Sequence, residues 1–273
     1  MSTNTLLRDR LSLAAESFFT AKQGEQCSPR TLEAYRRSVG MFADWLREQG
    51  VTQPSRITPG LVRSYFANLG TRGFKSSTVH DYARPVKTFV RFLYADDVLT
   101  VDVMAKVKMP RQEKKILPAL AREDVRAILA ACTTDRDTAL VMVMLDTGLR
   151  AAELCALKVG DFNVKTGAVL VRHGKGGKDR VVYAGAKTRR AVIRYLTSRV
   201  YRDDDDMPLF PSDKGGRHLT TNGLLIALHR IGKRAGVAHC NPHAFRRTFA
   251  LWSLRSGMDL MRLAALMGHA DLA

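Results

Sequence analysis

Residues 135–154 read DRDTALVMVMLDTGLRAAEL, and this stretch decides the fold. From 135 to 146 the spacing predicts a helix, and the segment 139–145 is apolar nearly all round it. A helix that is apolar on every side belongs at the centre of a domain. Gly148 ends it, as glycine does at helix C-termini. A short helix over 151–156 comes next. Arg150 therefore stands at a helix break, where its guanidinium can be held rigidly, with Glu153 one turn on to orient it. Arginine suits a phosphate because its planar fork donates two parallel hydrogen bonds. Taken alone, the two residues read as a surface ion pair of little energetic weight.

Beyond this stretch the period changes. Residues 168–172 and 180–183 are strand-like and are joined by the glycine-rich turn 174–178, which predicts a β-hairpin. Its tip, HGKGGKDR at 173–180, carries Lys175, Lys178 and Arg180. A lysine on such a turn can reach a ligand and donate a proton if neighbouring cations lower its pKa. The glycines resemble a phosphate cradle, but the full GxxxxGK[ST] pattern is absent. Taken alone, this is an exposed basic turn. Helices are expected over 186–201, 221–235, 243–256 and 259–267, with a loop around 203–211. The sequence PHAFRR at 242–247 puts His243 and Arg246 on one helical face. His269 follows a glycine at a helix end, placed to turn inward. His239, Cys240 and His243 lack zinc-site spacing and an evident fourth ligand, so no metal and no cofactor are expected.

Upstream, the first hundred residues read as four helices. Leu11, Ala15, Phe18 and Phe19 share one face; Tyr35, Val39, Phe42 and Leu46 another. Leu61, Tyr65, Phe66 and Leu69 form a third stripe, and Val79, Tyr82, Val86, Phe89 and Leu93 a fourth. Ser28-Pro29 and Thr58-Pro59 are helix starts, with proline at the first helical position, and Ser76-Ser77 opens the last helix. The aromatics in these stripes are expected in the core rather than as stacking platforms for bases. Residues 99–118 carry charges and two prolines without a period, and read as an interdomain linker. Its Lys106, Lys108, Arg111, Lys114 and Lys115 could track a phosphate backbone or simply be solvated. The expected domains are therefore 1–98 and 119–273.

The 273 residues include 44 Lys and Arg against 26 Asp and Glu, a net charge of +18. The excess is divided between both halves, +6 over 1–110 and +12 over 111–273, so it is not a basic tail. Such a balance points to a polyanionic partner. Four scattered cysteines without a CxxC pair argue against a disulfide framework or zinc ribbon and fit a reducing compartment. The N-terminus lacks the apolar core of a signal peptide, and the longest apolar run is too short to span a bilayer. Membrane and secreted readings drop out, leaving the cytoplasm of a cell without a nucleus as the default.

TGLRxxEL, a GKGxKxR hairpin, HxxR and LxGH, in this order, resemble the tyrosine recombinases: phage integrases and Xer-type chromosome-dimer resolvases. The four helices before them resemble that family's core-binding domain, so the resemblance covers nearly the whole chain. It implies a mainly α, two-domain, C-shaped clamp with a small antiparallel β-sheet. It implies site-specific DNA cleavage and rejoining through a 3′-phosphotyrosine, in a homo-tetramer on double-stranded DNA with inverted half-sites. Arg150 and Arg246 would hold the scissile phosphate, and Lys175 would protonate the leaving oxygen. His243 and His269 would bond the phosphate or assist proton transfer, with Glu153 supporting from behind. Lys178, Arg180 and Arg247 would join the linker cations in binding DNA. The resemblance places the protein in a bacterial or archaeal cytoplasm, at the nucleoid.

Two departures stand out. Arg247 follows Arg246 where the family commonly has histidine. The family's tyrosine lies shortly beyond the last motif histidine, whereas this sequence ends at Ala273 and its seven tyrosines end at Tyr201. Tyr183 sits on the wrong element to substitute. The expectation is a shortened chain that binds DNA, does not cleave it, and is monomeric off DNA. A non-catalytic DNA-binding regulator of the same fold and a type IB topoisomerase-like enzyme are the alternatives. For all three, DNA affinity should fall about 10³–10⁵-fold between about 50 and 200 mM salt if 6–10 phosphates are contacted. A flat dependence in a fluorescence-anisotropy titration would remove the polyanion partner.

Overall fold

The computed structural model describes residues 9–113, 117–172, 179–199, 204–212 and 216–268. The chain is mainly α-helical with one two-stranded antiparallel sheet. It divides into two compact units, at residues 115 and 116. No helix among the described residues is long and apolar enough to cross a membrane.

The first unit is built from α1 (Arg10–Gly24), α2 (Pro29–Glu48), α3 (Pro59–Thr71) and α4 (Ser76–Ala95). Side-chain oxygens start three of them. Asp9 accepts from the Ser12 N–H at 2.7 Å, Ser28 from Thr31 and Thr58 from Leu61. Each satisfies an amide that a helix start leaves without a partner. The apolar stripes face inward as their spacing requires. Phe18 is fully buried, with ring centroids of Phe19, Tyr35, Phe89 and Phe92 at 5.2–5.8 Å. In α3 the inward side chain is Val62, with Leu61 only partly buried.

Residues 99–107 depart from the expected connector. They form a 3-10 turn over Val103–Lys106, and Leu99, Val103, Met104 and Val107 are buried in the first core. Four-residue spacing from Leu99 to Val103 to Val107 is the signal, masked in the sequence by the charges between. His80 Nδ1 lies 2.9 Å from the Pro110 carbonyl oxygen, which holds the segment further along.

The second unit begins with α5 (Arg122–Ala130) and the central α6 (Asp135–Thr147). Ala139, Leu140, Val141, Val143 and Met144 of α6 are buried. α7 (Ala151–Ala156) follows, then β1 (Ala168–Val171) and β2 (Arg180–Tyr183), paired from Ala168 with Tyr183 to Val171 with Arg180. α8 (Ala186–Thr197), α9 (Thr221–Ala235), α10 (Pro242–Arg255) and α11 (Leu260–Met267) complete it. α8 ends at Thr197, short of the expected 201. Asp146, at the end of α6, accepts from the Gly185 N–H at 2.7 Å and the Thr188 hydroxyl at 2.6 Å, which fixes the start of α8.

Gly148 is the pivot between α6 and α7. Its φ of +59° is left-handed, and a Cβ there would overlap the ring of Phe249 on α10. Gly148→Ala should cost about 2–5 kcal/mol, from about 1–2 for the left-handed residue and about 1–3 for overpacking. Urea unfolding measures it; a loss under about 1 kcal/mol would contradict this packing.

Candidate active site

The turn at Gly148 delivers Arg150 to the N-cap of α7, with extended backbone at φ −70° and ψ 154°. From there it is locked twice to Glu153. Its backbone N–H donates to Glu153 Oε2 at 2.8 Å, and its Nη1 donates to Oε1 at 2.8 Å. Its Nη2 donates to the Gly268 carbonyl at 2.8 Å. Arg246, on α10, donates from Nη1 to the Gly148 carbonyl at 2.6 Å and from Nη2 to the Met267 carbonyl at 2.5 Å.

Arg180, expected as a DNA contact, turns inward instead. Strand side chains alternate, and Arg180 shares its face with buried Val182. Its Nη1 and Nη2 donate to the two oxygens of Glu153 at 2.9 and 2.7 Å, and its Nε to the Leu266 carbonyl at 2.7 Å. Three arginines from three elements thus take the carbonyls of Leu266, Met267 and Gly268 in turn. These close α11, where the helix dipole is negative. Gly268 has a φ of +63°, and a Cβ on it would lie 3.1 Å from Arg180 Nη1 and 3.2 Å from Arg150 Nη1.

Glu153 accepts from two of these arginines, and its side chain is 8% exposed. Burial pushes its pKa up, but the bonds from Arg180 and Arg150 outweigh burial and hold the carboxyl at about 2, below its ordinary 4.5. For Arg246, burial and then the neighbouring Arg150 charge push the pKa down to about 10. Both effects disfavour its cation, and an anion placed beside it would relieve them.

The other expected residues are distributed differently. His243 is exposed in the first turn of α10, one turn before Arg246. Arg247 is partly buried and donates from Nε to the Pro118 carbonyl at 3.2 Å. Lys106, Lys108 and Arg111 are exposed on the first unit. Lys114, Lys115, Lys175, Lys178 and His269 lie outside the described residues. Tyr183 is exposed on β2, on the strand face opposite Arg180. Cys240 is buried. Among the described residues, no three His, Cys, Asp or Glu side chains gather as metal ligands.

The second unit thus anchors Arg150 and Arg180 on one buried carboxylate, with Arg246 on neighbouring backbone carbonyls. Residues 118–273 match the phage integrase family, and residues 17–97 match the phage integrase N-terminal SAM-like domain. The chain belongs to the phage integrase family and is by family a tyrosine recombinase. It is 29% identical to tyrosine recombinase XerC of Oceanobacillus iheyensis, over 97% of this chain and 90% of the relative. It is 30% identical to tyrosine recombinase XerA of Thermococcus kodakarensis, over 94% and 87%. The structure of a lambda integrase dimer bound to a COC′ core site shares the fold, with a TM-score of 0.76 at 15% identity, covering 95% of this chain and 94% of that one.

Glu153 makes acid stability a direct readout of the cluster. Its folded pKa is depressed, so its contribution is present above about 4.5 and is lost as pH falls toward about 2. The stability gap between the protein and Glu153→Gln should therefore narrow over that range. A gap that stays constant in urea unfolding would contradict the network.

Proposed function

We propose that Arg150 and Arg246 hold a DNA phosphodiester, and that site-specific recombination of DNA is the family activity this site serves. The observation that carries this reading is the pair of arginines fixed on the second unit's core, with the cation of Arg246 disfavoured by burial and by Arg150. Phosphoryl transfer builds charge on the equatorial oxygens, and cations already in place stabilise it without reorganising. Lys175 serves as the acid for the leaving 5′ oxygen, and His243 and His269 bond the phosphate or move its proton. Exposed Lys106, Lys108 and Arg111, with Lys114, Lys115, Lys178 and Arg247, bind the backbone away from the cleavage point.

The substrate is duplex DNA with inverted half-sites, and the assembly on it is a tetramer. The lambda integrase neighbour, bound to its core site, supports a DNA partner. The place of action is the cytoplasm, at the nucleoid. Within these 273 residues the second unit's described tyrosines are poor nucleophiles. Tyr195 is buried and stacked on Phe210, and Tyr183 faces away from Arg180. On this reading the chain binds DNA, as a monomer in its absence, and does not cleave it through Tyr183 or Tyr195.

A charge-assisted hydrogen bond contributes about 1.5–3 kcal/mol, so Arg150→Ala or Arg246→Ala should weaken binding to a duplex oligonucleotide about tenfold or more. Unchanged affinity in both variants, at fixed salt, refutes the phosphate clamp. Covalent capture of a nicked duplex by the 273-residue chain refutes the binding-only reading.

A further inference from the structure

Arg180 differs from the two arginines assigned to the phosphate. Its side chain is 12% exposed, against 29% for Arg150. The bonds from its Nε, Nη1 and Nη2 run to Glu153 and Leu266, inside the protein. Glu153 also carries Arg150. The end of α11, held through Leu266, offers Met267 to Arg246 and Gly268 to Arg150. Arg180 therefore grips both supports of the pair. Its planar fork explains why arginine stands here. One edge of the guanidinium meets a carboxylate bidentately while Nε serves a carbonyl, a geometry that a lysine ammonium cannot reproduce.

We propose that Arg180 is a positioning residue for Arg150 and Arg246, setting their places through Glu153 and the closing carbonyls of α11 without touching DNA itself. This rests on the reading of Arg150 and Arg246 as the phosphate clamp. With Glu153 held from the far side, the guanidinium of Arg150 keeps one orientation and presents its remaining N–H groups to a single point. Without Arg180, the carboxylate can rotate and the end of α11 can lift, and both arginines then lose their aim.

The test uses the 273-residue chain and inorganic phosphate as the probe. Thermal unfolding in phosphate, compared with chloride at equal ionic strength, reports phosphate binding by linkage. The part of the phosphate effect lost in Arg150→Ala belongs to the clamp. Arg180→Lys should keep its fold in chloride yet weaken phosphate binding about tenfold, and adding it to a variant carrying both Arg150→Ala and Arg246→Ala should cause no further loss beyond about twofold, because Arg180 acts only through those two residues. A further loss of about tenfold on top of those two substitutions would make Arg180 an independent phosphate contact and overturn the proposal. A lower midpoint in chloride with an intact phosphate effect would make it a fold support only, and would equally overturn it. If Arg180→Lys does not fold, Gly268→Ala carries the same test, since it crowds both guanidiniums without removing a charge. It should weaken phosphate binding in the parent and add nothing where Arg150→Ala and Arg246→Ala are both present; an unchanged phosphate effect in the parent overturns the proposal. A full phosphate effect in Arg150→Ala is a separate result, which sinks the clamp reading itself.

Discussion

A buried carboxylate surrounded by cations is the constraint on which the second unit depends. Glu153 loses the solvation of water, and that loss is tolerable because Arg150 and Arg180 supply four hydrogen bonds to its carboxylate, one from the backbone and three from the guanidiniums. Without the carboxylate, Arg150, Arg180 and Arg246 would repel one another in a region of low dielectric. With it, three positive groups can share one neighbourhood. The central helix, the glycine turn after it and the hairpin strand are arranged so that this one acid sits between the arginines.

Most of the helical framework was legible because it follows from simple periodicity. Phe18, Phe42, Phe89 and Leu93 lie inside because each belongs to the apolar stripe of its own helix. Ser28 and Thr58 mark helix starts because a hydroxyl can accept from the amide three residues on. The segment 99–107 was harder. Its apolar residues are few and lie among charges, and a short 3-10 turn has no long period to reveal it. Tertiary packing decides such a segment.

At the site, Arg150, Glu153 and Arg246 were legible from motif and helix position. The true partners of these side chains were not. Arg150 and Arg246 bind backbone carbonyls at 148, 267 and 268, and a carbonyl has no signature in the sequence. Arg180 differs from the expectation for a definable reason: a basic hairpin suggests solvent, while strand alternation puts residue 180 on the face of Val182. That alternation was the available signal. Gly268 carried another, since a glycine beside two guanidiniums marks close approach.

The spacing of these partners along the chain has a consequence for synthesis. Arg150 and Gly268 are 118 residues apart, and Arg180 and Leu266 are 86 apart. At roughly 5–20 residues per second, a ribosome needs several seconds or more to cover the first of these intervals. During that time Arg150 and Arg180 have only Glu153 to hold, and the carbonyls that complete their setting do not yet exist. A nascent chain therefore completes this arginine cluster only after the end of α11 has emerged.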